Sequence, residues 1–326
     1  MSSLVFILNV IDTISTMSLA MFGILNFMVW GMQIKTLQGI FEFVTTFGGM
    51  VEPTPILDYA FPLSVYGGIF ALPVGVVNVR ALVNGLSNEK PGSKAARQDL
   101  NTLTWIGWLI AFGLAYLDDT IEYATGTFGI AWLFQMIVLV VGNVLILQTN
   151  FTPLRKKLND GLFKDGIFNN SNRFVDEWNG LIIMMYGSMM FLSAGVRLNI
   201  ARNFLPNLMH MFGMLDGPDS IMSSTNWVGV GLDSLGCGTF SLGMAALNLS
   251  AFTSANMEDT DYATVRRYAN LVFHIGHLVA FSNVGTGEGS SYFVFCTIVA
   301  ITNVVMLERT IHANNNNSNV VKSKRG

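Results

Sequence analysis

Long apolar runs constrain the fold of this 326-residue chain more than any other feature. Each run approaches or exceeds the roughly 20 residues that a helix needs to cross a bilayer. Helices are expected because backbone groups in lipid must be satisfied internally, and the roughly ten-residue alternating segments of a β-barrel are not visible. The eight expected spans are 14–34, 61–83, 103–121, 128–148, 178–198, 226–252, 268–285 and 290–308.

Composition agrees with a membrane protein. Charged residues make up 12% of the chain, about half the share in soluble domains. A net charge of −3 leaves no basic face for nucleic acid. The two cysteines, Cys237 and Cys296, lie in apolar runs and imply no disulfide framework. The sequence thus predicts an all-α, polytopic membrane protein whose partners are membrane lipids and, in one alternative, other membrane subunits.

The placement of lysine and arginine predicts the orientation. With eight spans, 15 of the 18 basic residues fall on the side that holds both termini, which we therefore expect to be cytoplasmic. They are Arg80, Lys90, Lys94, Arg97, Arg155, Lys156, Lys157, Lys164, Arg173, Arg266, Arg267, Arg309, Lys322, Lys324 and Arg325. No positive charge precedes the first span, so that span is expected to act as its own insertion signal.

The chain also repeats itself. Residues 10–53 match 174–217 at a constant offset of 164, the second span matches the sixth at 170, and the fourth matches the eighth at 160. Each copy has four spans, so both enter from the same side and form parallel repeats about an axis along the membrane normal. The expected units are a first repeat, a cytoplasmic linker, a second repeat and a disordered basic tail, at 1–150, 151–173, 174–312 and 313–326.

Small and acidic residues recur in the matched first and fifth spans. Glycines four residues on either side of a phenylalanine share one helix face and predict a packing seam at or near the repeat interface. Asp12 and Asp176 are expected at helix starts, where a carboxylate complements the helix dipole. The glycine trios are Gly23, Phe27 and Gly31, and Gly187, Phe191 and Gly195.

Four repeat-matched asparagines are expected at one depth in the membrane. Asn78, Asn143, Asn248 and Asn303 each lie about five residues from the cytoplasmic end of a span, roughly 7 Å deep at the rise of an α-helix. They could form a polar ring that lines a cavity. The structural alternative is hydrogen bonding between helices, where Asn contributes about 0.6–2 kcal/mol.

Three ionisable residues lie inside the expected spans and are candidate coupling groups. His274 and His277 are three residues apart and share a helix face, which would suit a proton relay. A haem or metal site and two neutral, hydrogen-bonded histidines are the alternatives. Asp233 lies in a small, polar stretch of the sixth span that could line a cavity.

The pattern does not indicate an enzyme. No phosphate-binding loop, HExxH motif or GxSxG elbow is present in the sequence. The stretch Tyr66-Gly67-Gly68-Ile69, followed by Gly75 and Asn78, resembles a segment of the acetate uptake transporter family. That resemblance covers less than a tenth of the chain, and the Asn-Pro-Ala-Pro-type motif of the family is absent, so no residue roles follow from it.

The expected function is a transporter or channel for a small solute or ion, with its pathway between the two repeats. The alternative is a non-catalytic subunit of a larger membrane complex that holds lipids, pigments or neighbouring subunits on a surface rich in Phe and Met. A haem-binding redox protein is a third possibility. The sequence identifies neither cofactor nor metal.

Overall fold

The structure is a computed structural model that describes residues 3–32, 61–117, 137–146, 174–196, 232–252 and 260–284, together with 34, 36–37, 198, 298, 301–302 and 304–305. Nearly all of these residues are helical, and the described ranges contain no strand. The all-α expectation is therefore confirmed. The expected linker and tail, and Asn303, lie outside the described residues.

The described residues include seven α-helices. They are α1 Ser3–Asn26, α2 Phe61–Asn84, α3 Pro91–Leu117, α4 Ile137–Ile146, α5 Phe174–Met190, α6 Leu232–Asn248 and α7 Thr260–Val284. A π-helical turn extends α1 (Phe27–Gly31) and α5 (Phe191–Gly195), and a 3₁₀ turn extends α6 (Leu249–Phe252). We call residues 1–150 the first half and residues 174–312 the second half.

Several helices begin earlier than the expected spans. The apolar runs locate only the hydrophobic part of each helix, whereas α1, α3 and α7 include 8–12 further residues at their N-terminal ends. At the turn between α2 and α3, Gly85 ends α2 with φ +80°, a conformation that glycine adopts without steric cost. Pro91 then opens α3, where a missing N–H costs nothing.

Two described helices are long and apolar enough to cross a membrane, Ser3–Gly31 and Gly67–Asn84. Ile137–Ile146 and Thr239–Phe252 are shorter apolar helices. The count of eight spans stays a prediction.

Helix packing interlocks the two halves. Within the halves, α1 packs on α2 and α5 packs on α6. Between them, α2 packs on α6, while α3 reaches across to α6 and α7 reaches across to α2. The buried core along these contacts is rich in aromatic side chains, including Phe70, Trp105, Tyr186, Phe240 and Phe273.

Glycines allow the close crossing of α1 and α2. A Cβ on Gly23 would lie 2.5 Å from the backbone nitrogen of Gly75. In the second half, a Cβ on Gly187 would lie 2.6 Å from the carbonyl oxygen of Ser241. These glycines therefore pack inside their own halves, on α2 and α6. The predicted packing seam is present, but it lies within each half and not at the repeat interface, because the helix next in the sequence takes this face.

The two π turns are alike in their hydrogen bonds. The Met32 N–H donates to the Phe27 carbonyl at 2.8 Å, and the Val196 N–H donates to the Phe191 carbonyl at 2.9 Å. In each turn the phenylalanine ring lies against the closing glycine, so that a Cβ on Gly31 would come within 2.5 Å of the ring. Single π turns of this kind occur often at functional sites.

Candidate functional site

A buried ion-pair cluster joins α1 to α3. The Arg97 guanidinium donates to Asp12 Oδ1 at 2.8 Å, to Glu89 Oε2 at 2.7 Å and to Thr16 Oγ1 at 2.7 Å. Gln98 Nε2 adds a bond to Asp12 Oδ2 at 3.3 Å. Asp12 lies well inside α1 and is buried. The prediction that Asp12 stands at a helix start is wrong, because α1 begins at Ser3. Arg97 stabilises the carboxylate in place of the helix dipole.

A second cluster joins α5 to α7. Asp176, in the first turn of α5, accepts from Arg266 Nη2 at 2.7 Å and from Arg267 Nη2 at 3.0 Å. Arg266 Nη1 donates to the other carboxylate oxygen at 2.8 Å. The side chains of Asp176 and Arg266 are fully buried, so neither charge has water to stabilise it and each depends on the other.

The pKa of Arg97 in the first cluster and the pKa of Asp176 in the second both favour the ionised form. Burial alone would lower the pKa of the Arg97 guanidinium, but the hydrogen bonds and charges of Asp12 and Glu89 raise it above its ordinary value. Burial alone would raise the pKa of the Asp176 carboxyl, but Arg266 and Arg267 hold it well below its usual range. Both groups lie outside the expected membrane spans, and both remain charged at neutral pH.

The two clusters occupy matching positions. Asp12 and Asp176 are separated by the offset of 164 that relates α1 to α5. Arg97 and Arg266 are separated by 169 residues. The residue after each arginine bonds to the aspartate of its own cluster: Gln98 to Asp12, and Arg267 to Asp176. The same type of contact, an α3 or α7 arginine on an α1 or α5 aspartate, therefore occurs twice.

The asparagines form interhelical pairs. Asn78 in α2 and Asn101 in α3 exchange two side-chain bonds of 2.8 Å. Asn248 in α6 and Asn270 in α7 do the same at 3.0 and 2.8 Å. Asn78 and Asn248 also donate to the carbonyl four residues before them. The four side chains are buried, and this geometry favours the hydrogen-bonding interpretation over a ring open to a cavity.

Asn143 joins a different network in the first half. Its side-chain nitrogen lies 3.2 Å from Ser15 Oγ, and the same hydroxyl accepts from Trp105 Nε1 at 2.8 Å. The network ties α4 to α1 and α3. Trp105, whose position in the sequence suggests the headgroup layer, is instead 1% exposed inside the helix assembly.

The two candidate histidines are buried on α7. His274 Nε2 lies 2.8 Å from Asn179 Oδ1, which joins α7 to α5. His277 Nδ1 lies 3.0 Å from the Phe273 carbonyl, and the two imidazole centroids are 6.3 Å apart. Both side chains are 1% exposed, and His274 Nδ1 has no hydrogen-bond partner in the described part of the chain.

Asp233 is not placed beside the histidines by any described contact. It lies in the first turn of α6, and its side chain is outside what the structure describes. Within the described ranges, no group of three His, Cys, Asp or Glu side chains could hold a metal ion.

Three polar contacts connect the halves at the end where the clusters lie, which we call the polar end. Lys90 Nζ lies 3.0 Å from Asp261 Oδ1, and the Tyr262 hydroxyl donates to Asp99 Oδ2 at 2.9 Å. The Arg80 guanidinium lies 4.9 Å from the ring centroid of Tyr268. Each contact joins a residue of the first half to one on α7.

Sequence reasoning missed the arginine partners and the second member of each asparagine pair. The signal was available, because Arg97, Asn101 and Gly107 in α3 recur as Arg266, Asn270 and Gly276 in α7 at one offset of 169. The match was missed because the basic residues were used only to predict orientation.

No protein-family model, curated protein or solved structure matches this chain.

Proposed function

We propose that the chain is an integral membrane transporter or channel for a small solute or ion, made of two parallel four-helix repeats. Membrane placement is supported by an inverted distribution of polarity. Charged clusters and amides are buried, whereas α1 exposes an apolar stripe at spacings of three and four residues. The stripe consists of Ile7, Val10, Ile14, Met17 and Met21. Such a stripe suits contact with lipid better than contact with water.

The repeat is supported by the doubled contacts. The ion-pair clusters, the asparagine pairs and the π turns each occur once in either half. The packing is also reciprocal: α3 contacts α6 and α7 contacts α2, while α2 and α6 contact each other. This pattern is expected when a two-fold axis passes between α2 and α6, and we propose that the eight-span arrangement follows this symmetry.

The polar contacts between halves carry the transport proposal. They close the polar end, where the basic residues predicted to be cytoplasmic gather. The buried clusters tie α3 to α1 and α7 to α5. The polar end would then open by a movement of α7 against α2 and α3 that breaks, among the described residues, the Lys90–Asp261 ion pair, the Tyr262–Asp99 hydrogen bond and the Arg80–Tyr268 contact.

His274, His277 and Asp233 remain the candidate coupling groups in this proposal. The uncommitted Nδ1 of His274 supplies a site that can gain or lose a proton when the polar end opens. Asn78, Asn143, Asn248 and Asn303 are proposed to position the helices that carry the pathway, and not to bind the solute.

Movement of the polar end is the direct test, and it needs no knowledge of the solute. Spin labels would be placed at Lys94→Cys in α3 and Thr264→Cys in α7, with both native cysteines replaced by serine. Double electron–electron resonance in nanodiscs should show a second, longer distance between the labels when the pH or the ion concentration is changed. A matched pair within the first half, Lys94→Cys with Ser87→Cys, should keep one distance. One unchanging distance between the halves would overturn the proposal.

A second function is favoured by the filled interface. Phe70 lies 4.7 Å from Phe273 and 6.2 Å from Tyr186 between ring centroids, and Trp108 meets Phe240 edge-on at 5.9 Å. This aromatic packing suits a non-catalytic subunit of a membrane complex, with the α1 stripe as its contact surface. Purification in mild detergent would then yield stoichiometric partners, whereas a transporter would purify alone and remain mobile at the polar end.

A further inference from the structure

A cavity of about 260 Å³ opens at the polar end between α2, α3 and α7. Residues of both halves line it. The lining is mixed. Its charged side chains are Arg80, Lys90, Arg97 and Glu89, whose carboxylate accepts from Arg97, and its uncharged polar side chains include Asn84, Asn88 and Ser93. A cavity of this size and polarity can accept a hydrated or phosphorylated group.

The cations that line the cavity differ in how far they are neutralised. Arg97 is held by Asp12 and Glu89, and Lys90 pairs with Asp261. Arg80 has its guanidinium near the ring of Tyr268, and among the residues that the structure describes no carboxylate pairs with it. Arg80 therefore brings an uncompensated positive charge and a fork of N–H donors to the cavity.

The matching positions of the second half carry different side chains. At the offsets of α2–α6 and α3–α7, Ser250 corresponds to Arg80 and Tyr262 corresponds to Ser93. Tyr262 is fully buried and donates to Asp99, which itself corresponds to Tyr268. Ser93 is thus smaller than the Tyr262 that corresponds to it, and the position of Arg80 is taken by an uncharged serine.

We propose that this cavity binds the phosphate group of an anionic ligand, either a phospholipid headgroup or a soluble phosphate ester. The planar guanidinium of Arg80 binds two phosphate oxygens at once, and Lys90 adds a point charge at the rim. Basic pockets between helices at the cytoplasmic side are typical sites for lipid phosphates. Val79 and Val83, exposed beside Arg80, offer an apolar surface on which acyl chains can lie. The proposal does not depend on transport.

Binding to the purified full chain in dodecyl maltoside would test the site. The probes are dioctanoyl phosphatidylglycerol, glycerol 3-phosphate and, as the phosphate-free control, dioctanoylglycerol. Native mass spectrometry and thermal-shift titration would measure affinity. Binding of phosphatidylglycerol alone assigns a lipid ligand, whereas binding of glycerol 3-phosphate assigns a soluble ester. Both outcomes support a phosphate site.

Three variants assign the binding to the cavity. Arg80→Gln should weaken binding of the phosphate probe by about tenfold or more, because a bidentate charged contact is lost. Ser93→Tyr should abolish binding because the larger side chain would fill the cavity beside Arg80. Lys94→Gln, a basic residue outside the lining, should leave binding unchanged.

Absence of binding by both phosphate probes would overturn the proposal, as would equal binding of dioctanoylglycerol. Undiminished affinity in both Arg80→Gln and Ser93→Tyr would also overturn it. If Arg80→Gln does not fold, the site is tested with two other variants. Arg80→Lys keeps the positive charge, and Ser93→Tyr keeps the helix contacts. Failure here leaves the movement of the polar end untouched, so the two proposals are tested separately.

Discussion

The two halves keep the same polar framework but surround it with different side chains. Trp105 and Trp108 in α3 correspond to His274 and His277 in α7. Trp105 donates to a serine of α1, and His274 contacts the asparagine at the matching position of α5. An indole only donates a hydrogen bond, whereas an imidazole can donate, accept or gain a proton. The helix contacts are thus shared, and the chemistry inside them is specific to the second half.

The loss of a cluster arginine is expected to lower the free energy of unfolding most, and to do so by different amounts in the two halves. Arg97→Met removes the main partner of two buried carboxylates and should cost about 3–5 kcal/mol of the free energy of unfolding. Arg266→Met should cost less because Arg267 still contacts Asp176. Thermal unfolding in mild detergent measures both. The exposed Lys90→Met is the control, expected to cost less than about 1 kcal/mol. Equal losses for the two arginines would contradict this ranking.

The glycine crossings should respond equally in both halves. Gly23→Ala and Gly187→Ala each place a Cβ against a backbone atom of the neighbouring helix, and each should cost about 1–3 kcal/mol of unfolding free energy. Gly113→Ala is the matched control, because none of the atoms that the structure describes lies within 4 Å of its added Cβ. The control should be neutral or slightly stabilising, since alanine favours a helix. A tolerated Gly23→Ala would show that α1 and α2 cross less closely than described.

The asparagine pairs separate a structural role from solute binding. Asn101→Leu and Asn270→Leu should each lower the unfolding free energy by about 1–2 kcal/mol, because each leaves one amide of a buried pair without its partner. The double variant Asn78→Leu/Asn101→Leu should recover part of that loss. Thermal unfolding of the single and double variants gives the coupling energy. Full stability with loss of transport would instead make these amides solute ligands.

The smallest expected effect is the pH dependence of the second cluster. The pKa of Asp176 is lowered in the folded protein, so its contribution to stability is complete above the unfolded carboxyl pKa of about 4 and declines as the pH falls below it. The difference in melting temperature between wild type and Asp176→Asn should therefore stay constant from pH 7 to 5. It should narrow only below about pH 4. A difference that already changes between pH 7 and 6 would contradict the lowered pKa.

Helical class and the doubled motifs were accessible from the sequence because apolar runs and constant offsets are local patterns. The ends of the helices were not, since the polar N-terminal turns of α3 and α7 are stabilised by buried partners on α1 and α5. Asn78 and Asn248 were found by their repeat at an offset of 170, whereas Asn101 and Asn270 recur at the separate offset of 169 that relates α3 to α7. The contact of Tyr262 with Asp99 depends on packing between the halves, which no local pattern predicts.

The crossing of α3 onto α6 has a consequence for biosynthesis. The end of α3 leaves the ribosome about 130 residues before the end of α6, a delay of roughly 7–26 s at ordinary translation rates. During that interval α3 lacks its main packing surface, which α6 supplies later. Each half therefore completes the other, and coexpressed halves should rescue one another where either alone is degraded.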